Sequence, residues 1–418
     1  MGYRVEVRDA ALNRIGVIDT WLSMDLVVRY CATGSWQILV EAGTPQADML
    51  QKGGGVAIYQ DDVDTPILTG QIETFQHYWT NDQHTSLGSL YFGGKCDNKL
   101  AYNRLSYPDP TKPATQQWQP DSAWSAGRAV SGPAGHLIWS ELNQALGPGA
   151  VAERQIGNVI FEGDVAFGDT LSDALQWDVI GTKIEAWTTN TGSGNHNAGY
   201  RFVWDPNGKC INLHIFEPRD LSKDVRFSRE LGNLREFTWS LTAPSVTRVI
   251  VACQGSGQNR YLYQQIDSAT EAEWGLQIEQ FVDRRDLPIK LDPSTGQMVK
   301  ADLSVTDEQF TTAQQAVLDA ATDALTQGAK NGNFQIYPID TPHIKFGRDY
   351  FVGDIVTVSV DGTEYTDIVR EVSITVDDGG NTTTVAPSIG DQGSGNPLNL
   401  YKTVFEMREK LRRLEARM

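Results

Sequence analysis

The chain has 418 residues, with 35 Lys+Arg against 53 Asp+Glu and a formal net charge of −18. At roughly 100–200 residues per domain it holds two to four domains, and 40% apolar with 21% charged residues is the balance of a folded protein. A pI near 4.7 excludes a nucleic-acid binder that works through a basic face, and equally a protein held on an anionic membrane by charge.

No apolar run reaches the roughly 18 residues of a membrane span, so no membrane anchor is expected. Met1-Gly2-Tyr3-Arg4-Val5-Glu6 is charged from the start and reads as a strand rather than a signal peptide. Glu6 stands where a myristoylation signal needs Ser or Thr. Cys31, Cys96, Cys210 and Cys253 are far apart and form no C-x-x-C pair, which predicts isolated thiols and no metal site.

Tyr3, Val5 and Val7 alternate with Arg4, Glu6 and Arg8, the pattern of a half-buried strand. Short runs at Leu26–Tyr30, Trp36–Val40, Val56–Tyr59, Ile67–Thr74 and Leu87–Phe92, separated by Gly, Asp and Asn, predict a small barrel or sandwich over residues 1–105. Pro108, Pro110, Pro113, Pro120 and Pro133 then mark an extended excursion. Leu137, Ile138, Leu142, Ala145 and Leu146 predict a helix that Gly147-Pro148 ends, and a second helix is expected at Thr170–Ile180 with Gly181 as its stop. Tyr200, Phe202 and Trp204 alternate into Asp205-Pro206-Asn207-Gly208, and Ile211, Leu213 and Ile215 alternate after it, a hairpin. Residues 106–204 thus read as an α+β insertion, with the first barrel completed by about 205–235.

Residues 236–390 return to β texture, clearest at Arg248–Cys253 and Gln277–Phe281. A helical insertion over about 301–332 opens with the capping box Thr306-x-x-Gln309, and its Ala-rich face suits close packing on another backbone. Val356, Val358 and Val360 run into Asp361-Gly362, and Val372, Ile374 and Val376 into Asp377-Asp378-Gly379-Gly380. Residues 391–399 read as a hinge. In 400–418, Leu400, Val404, Met407, Leu411, Leu414 and Met418 follow a 4-3-4-3-4 spacing, the seam of a coiled coil, with Lys410 and Glu415 of opposite sign beside it. An amphipathic helix docked on its own domain is the competing reading. The strict 3.5 period and the preceding hinge favour self-association, although under three heptads needs an oligomer already held elsewhere.

Candidate chemistry is thin. Gln254-Gly255-Ser256-Gly257-Gln258-Asn259-Arg260 follows a strand, but it lacks the third glycine and a following helix, so a hairpin loop is favoured over a phosphate loop. The six histidines are scattered without triad or metal spacing, and no catalytic residue and no cofactor is expected. Six of eleven Trp (118, 124, 139, 177, 187 and 204) fall in the insertion, as core filling or as a sugar-stacking platform. Between Phe351 and Asp391 eight acids face one base, Arg370. Such a run is a solvated sheet face or the wall of a channel that repels phosphate, with Asp354, Asp361, Glu364, Asp367 and Glu371 as the lining candidates.

Seven stretches stand in order along the chain: Val5-Glu6-Val7-Arg8-Asp9, Gly34-Ser35-Trp36, Glu217-Pro218-Arg219-Asp220-Leu221-Ser222, Phe227-Ser228 with Leu231-Gly232-Asn233-Leu234, Val249–Arg260, Phe281-Val282-Asp283 with Arg285-Asp286, and Phe346-Gly347-Arg348-Asp349-Tyr350-Phe351-Val352-Gly353-Asp354. Together they resemble one family, the tail-tip or baseplate hub proteins of actinobacterial siphophages. The resemblance implies a fold similar to the hub of contractile-tailed phages: α+β, mainly β, with two tube-type β-barrels, inserted α+β and helical segments, and here a C-terminal coiled coil. It implies a structural virion protein at the tail tip, a homotrimer that joins the tail tube to tip or fibre proteins and lines the DNA conduit. Its partners would be its own copies, distal tail and tube-end proteins, tip or fibre proteins and the tape measure protein, with DNA passing unbound. A tail-associated cell-wall hydrolase and a receptor-binding module are the competing functions.

Overall fold

The computed structural model describes residues 2–61, 63–79, 87–117, 128–189, 197–329, 331–338, 344–360, 363–377 and 382–389. Strands account for 42% and helices for 20%, so the expected class, α+β and mainly β, is met, while the described strands close no barrel. The described residues fall into two compact units, 2–238 with 334–389, and 239–333.

The first unit opens with β1 (Tyr3–Arg8), β2 (Arg14–Ile18), β3 (Ser23–Arg29), β4 (Ser35–Glu41), α1 (Pro45–Met49), β5 (Gly55–Gln60), β6 (Leu68–Gln71), β7 (Thr74–Tyr78), β8 (Ser89–Lys95) and α2 (Lys99–Tyr102). Strands β2-β1-β5-β6 form one sheet. Both faces of β1 are covered, so Glu6 and Arg8, expected outward by alternation, are buried with Val5 and Val7. Arg8 is accommodated by Asp97, at 2.6 Å. The run Ile67–Thr74, expected as one strand, changes sheets: β6 stays in the first, and β7 becomes the edge of a ten-stranded sheet.

The insertion and the segment that follows it supply β9 (Arg128–Pro133), α3 (Ala134–Leu146), β10 (Val159–Phe161), β11 (Thr170–Leu175), α4 (Ile180–Thr189), β12 (Gly199–Asp205) and β13 (Cys210–Phe216). The expected helix at Thr170–Ile180 is a strand that pairs with β9. Leu171 and Leu175 are buried, and a spacing of four satisfies both periods; the partner strand decides between them. Gly181 lies inside α4 rather than ending a helix, and its lack of a side chain makes room for the Tyr102 ring, which a Cβ would meet at 2.4 Å. The hairpin β12–β13 pairs as expected, from Gly199↔Phe216 to Asp205↔Cys210.

The chain continues through β14 (Arg226–Ser228) and β15 (Leu234–Thr242) into the second unit, with β16 (Arg248–Ala252), β17 (Leu262–Ile266), α5 (Ser268–Trp274), β18 (Glu279–Asp283), β19 (Ile289–Leu291), β20 (Met298–Lys300) and α6 (Asp307–Gln327). It returns through β21 (Asn331–Pro338), β22 (Ile355–Val360), β23 (Thr363–Asp377) and β24 (Thr382–Ile389). The large sheet runs β15-β21-β24-β23-β3-β4-β8-β7, with β14 and β22 attached. Strand β23 pairs with β3 from Glu371↔Arg29 to Asp377↔Ser23. Segments expected in two successive barrels therefore share one sheet, since an unpaired edge is satisfied by whichever strand the fold brings to it. The insertion is likewise continuous with this core: Leu137, Ile138 and Leu142 belong to the same buried cluster as Val5 and Leu26.

In the second unit a three-stranded sheet, β17-β16-β18, packs under α6. The capping box holds as expected: the Thr306 hydroxyl accepts from Gln309 N–H, and the Gln309 side chain accepts from Thr306 N–H. Ala313, Val317, Ala321 and Ala324 are the buried face, small enough to approach Val249 and Val251 of β16. Residues 254–260 join antiparallel β16 and β17 with one short helical turn and no helix behind it, so the glycine loop is a hairpin connection.

This unit is laced with carboxylates held below the usual range. Arg248 does this to Glu271, Arg284 to Asp286, Ser294 to Asp292, Ser304 to Asp302 and Lys300 to Asp307. Asp323 runs the other way, raised by burial. A depressed carboxylate contributes stability that is complete above its unfolded pKa and lost as pH falls through the folded value. Amide-exchange protection of β16–β18 is therefore expected to hold from neutral pH to about pH 5 and to fall below about pH 4.

Candidate functional site

The large sheet has one face in the core and one outside it. Met24, Leu26 and Val28 of β3, Trp36, Ile38 and Val40 of β4, and Val372, Ile374 and Val376 of β23 are buried. The period of two then places Asp25, Val27 and Arg29, Ser35 and Gln37, and Glu371, Ser373 and Thr375 on the opposite face. Register brings these side chains opposite one another: Glu371↔Arg29, Thr375↔Asp25 and Asp25↔Gln37.

They are joined into a ladder across four strands. Arg29 Nε donates to Glu371 at 2.6 Å. The Asp25 carboxylate accepts from Thr375 Oγ1 at 2.8 Å and from Gln37 Nε2 at 2.6 Å. Tyr91 of β8 donates to Gln37 Oε1 at 2.6 Å. Between β4, β8 and the Glu73–Thr74 entry to β7 lies an open groove of about 310 Å³, lined by Gln37, Tyr91 and Lys95 among others. Glu371 of this wall stands out in the sequence, within the acidic run, whereas Asp25, Gln37, Tyr91 and Thr375 do not. Their signal is the polar half of strands whose other half is apolar, legible only once the pairing is known.

The lining candidates do not share a face. Asp354 precedes β22 and is buried, accepting both Nε and Nη2 of Arg219 at 2.9 and 2.6 Å and the Phe351 N–H at 2.7 Å. That contact also holds the Arg219 guanidinium above its usual pKa. Glu364 is exposed and pairs with Arg226 at 2.7 Å, and Glu371 sits on the polar wall against Arg29. Asp367 is exposed on β23, three residues from Glu364 and hence on the other face. Among the described acids of the run, Asp354, Glu364 and Glu371 are therefore each matched by an arginine, and Glu364 and Asp367 point to opposite faces. Asp361 lies outside the described residues, as do Trp118, Trp124 and the heptad positions Leu400, Val404, Met407, Leu411, Leu414 and Met418.

Among the described residues no group of three or more His, Cys, Asp or Glu is placed to hold a metal ion, and the cysteines form no disulfide. His136 faces Asp164 and His214 faces Glu162, each at 2.8 Å and exposed. Among the four described Trp of the insertion, Trp187 and Trp204 are buried, Trp139 is half-buried and Trp177 is 43% exposed.

The model of the siphovirus ReqiPepy6 Gp37-like protein family matches residues 4–391. No curated protein matches the chain. Among solved structures, the 43 kDa tail protein of prophage MuSo2 from Shewanella oneidensis is similar at TM-score 0.49 and 10% identity, over 93% of this chain and 98% of that one. A tail protein from Neisseria meningitidis MC58 gives 0.48 and 12%, over 94% and 98%. Prophage tail protein gp18 from Listeria monocytogenes EGD-e gives 0.45 and 8%, over 99% and 100%.

Proposed function

The chain belongs to the siphovirus ReqiPepy6 Gp37-like family of phage tail proteins, and from that premise we propose that it is a homotrimeric tail hub, joining the tail tube to tip or fibre proteins. Its work is assembly and conduit formation rather than turnover. Identical copies surround an axis, each contributing a tube-type β wall, and the 400–418 heptads clasp them at one end. The same reading makes it a virion component of the tail tip.

The observation that supports this reading is the hydrogen-bonded polar ladder over β23, β3, β4 and β8. A wall past which DNA slides must offer phosphate neither free cations nor apolar patches that hold it. Here Arg29 is engaged by Glu371, and Asp25 has its oxygens occupied by Thr375 and Gln37. The ladder side chains are thus fixed and polar, and the exposed Lys95 at the edge of the groove is offset in number by Asp25, which leaves no surplus of positive charge. Among the lining candidates Glu371 fits this role directly, since it is the one that belongs to the ladder.

Native mass measurement on the full chain tests the proposal. Three times the 46.2 kDa chain is expected at micromolar concentration, and loss of residues 400–418 is expected to weaken the trimer. A trimer unchanged by the truncation places the contacts in the β walls. A monomer at every concentration, or particle images that put the subunit off the tail axis, overturns the reading.

A further inference from the structure

Two of the segments that carry the family resemblance, Glu217-Pro218-Arg219-Asp220 and Phe346–Asp354, meet in the first unit through the Arg219–Asp354 pair. Together with Thr65–Ile67 and Arg201 of β12 they enclose a pocket of about 310 Å³. Three guanidiniums reach it, and two are already matched: Arg219 by Asp354 and Arg348 by Asp349, at 2.6 Å each.

Arg201 differs from both. It is half-buried, lies over the Phe351 ring at 4.3 Å and donates Nη2 to the Pro66 carbonyl at 2.8 Å. Burial pulls its pKa down to about 10, and no carboxylate offsets that shift. Of the two acids in the pocket wall, Asp354 is engaged by Arg219 and Glu217 is exposed. Withdrawing a guanidinium from water without a counter-charge is costly, and such a group in a pocket is poised for an incoming anion. Ile67, Phe216, Phe351 and Val352 supply an apolar surround.

We propose that this pocket receives one carboxylate side chain of another polypeptide, with the carboxylate on Arg201 and its methylene stem against Phe351 and Phe216. A single unmatched cation calls for a single negative charge, and the apolar surround calls for a short hydrocarbon stem. A Glu or Asp of a partner loop has both, whereas free phosphate has two charges and no stem. The pocket is thus a docking point for an acidic segment, whatever the oligomeric state.

The test is fluorescence anisotropy of a labelled pentaglutamate peptide on the full chain at low salt, with pentaglutamine and inorganic phosphate as comparison probes at matched ionic strength. Pentaglutamate is expected to bind and pentaglutamine not. Arg201→Gln is expected to weaken binding at least tenfold, Glu217→Gln not to weaken it, and phosphate to compete no better than chloride. In the unaltered protein, pentaglutamate alone should raise the thermal midpoint, a readout that survives a failure of Arg201→Gln to fold. Absence of pentaglutamate binding, equal binding of pentaglutamine, undiminished binding by Arg201→Gln, or full displacement by phosphate overturns the proposal, the last by making the pocket a free-anion site.

Discussion

Asp97→Ala is expected to destabilise the first unit by about 3–5 kcal/mol, because it leaves the Arg8 guanidinium buried and unpaired. The side chains of Arg8 and Asp97 are 3% and 5% exposed and bond at 2.6 Å. The setting is built around them: Arg8 lies 5.7 Å from the ring of Trp204, itself buried, and a Cβ at Gly55 would strike Arg8 Nε at 2.5 Å. Asp97 is fixed in turn by its own N–H on Thr69 O at 2.8 Å. Water cannot compensate the lost partner, so the charge stands against a low dielectric. Urea unfolding of wild type, Asp97→Ala, Arg8→Met and the double variant measures this. The double variant should be less destabilised than the sum of the singles, since it removes the charge along with its partner. A loss below about 1 kcal/mol for Asp97→Ala would show that water reaches Arg8.

Gly94→Ala is expected to cost about 3 kcal/mol or more, through overlap of backbones rather than loss of a contact. Gly94 lies in β8, opposite Trp36 of β4. A Cβ there would stand 1.9 Å from Gln71 O and 3.1 Å from Trp36 Nε1. Gln71 ends β6, and Glu73 N–H bonds Gly93 O at 2.9 Å, so this is where the chain crosses from the four-stranded sheet into the large one. Neither backbone can withdraw without breaking ladder bonds. Gly163→Ala is the matched control, with nothing within 4 Å of the added methyl, and should leave the unfolding midpoint in place. Equal effects of the two substitutions would mean that entropy of the glycine, not the crossing, sets the response.

Much of the local structure was legible from side-chain period alone. The β12–β13 hairpin, the capped α6 with its alanine face and the valine strand of β22 depend on interactions within one element or one turn, and composition reports those directly. Where the same residues fit two periods, as Leu171 and Leu175 do, the sequence pointed to a helix and the neighbouring β9 made a strand. The polar ladder was illegible for a related reason. Asp25 and Thr375 are 350 residues apart and become neighbours only through the β3–β23 register. The acidic run misled in the opposite sense: residues adjacent in sequence alternate sides of a strand, and arginines from distant segments meet several of them.

What the sequence determined by itself was the inventory: a folded, acidic, mainly β chain with hairpins, two well-marked helices and a heptad tail, together with the motifs that place it in its family. Tertiary structure alone decided which strands became neighbours, that β23 joins β3 rather than closing a separate barrel, and that Arg201 was left without a matching carboxylate while Arg8 received one. The reason is physical. Period and turn chemistry act over a few residues, whereas strand pairing and the desolvation of charge depend on what the rest of the chain brings to the same place.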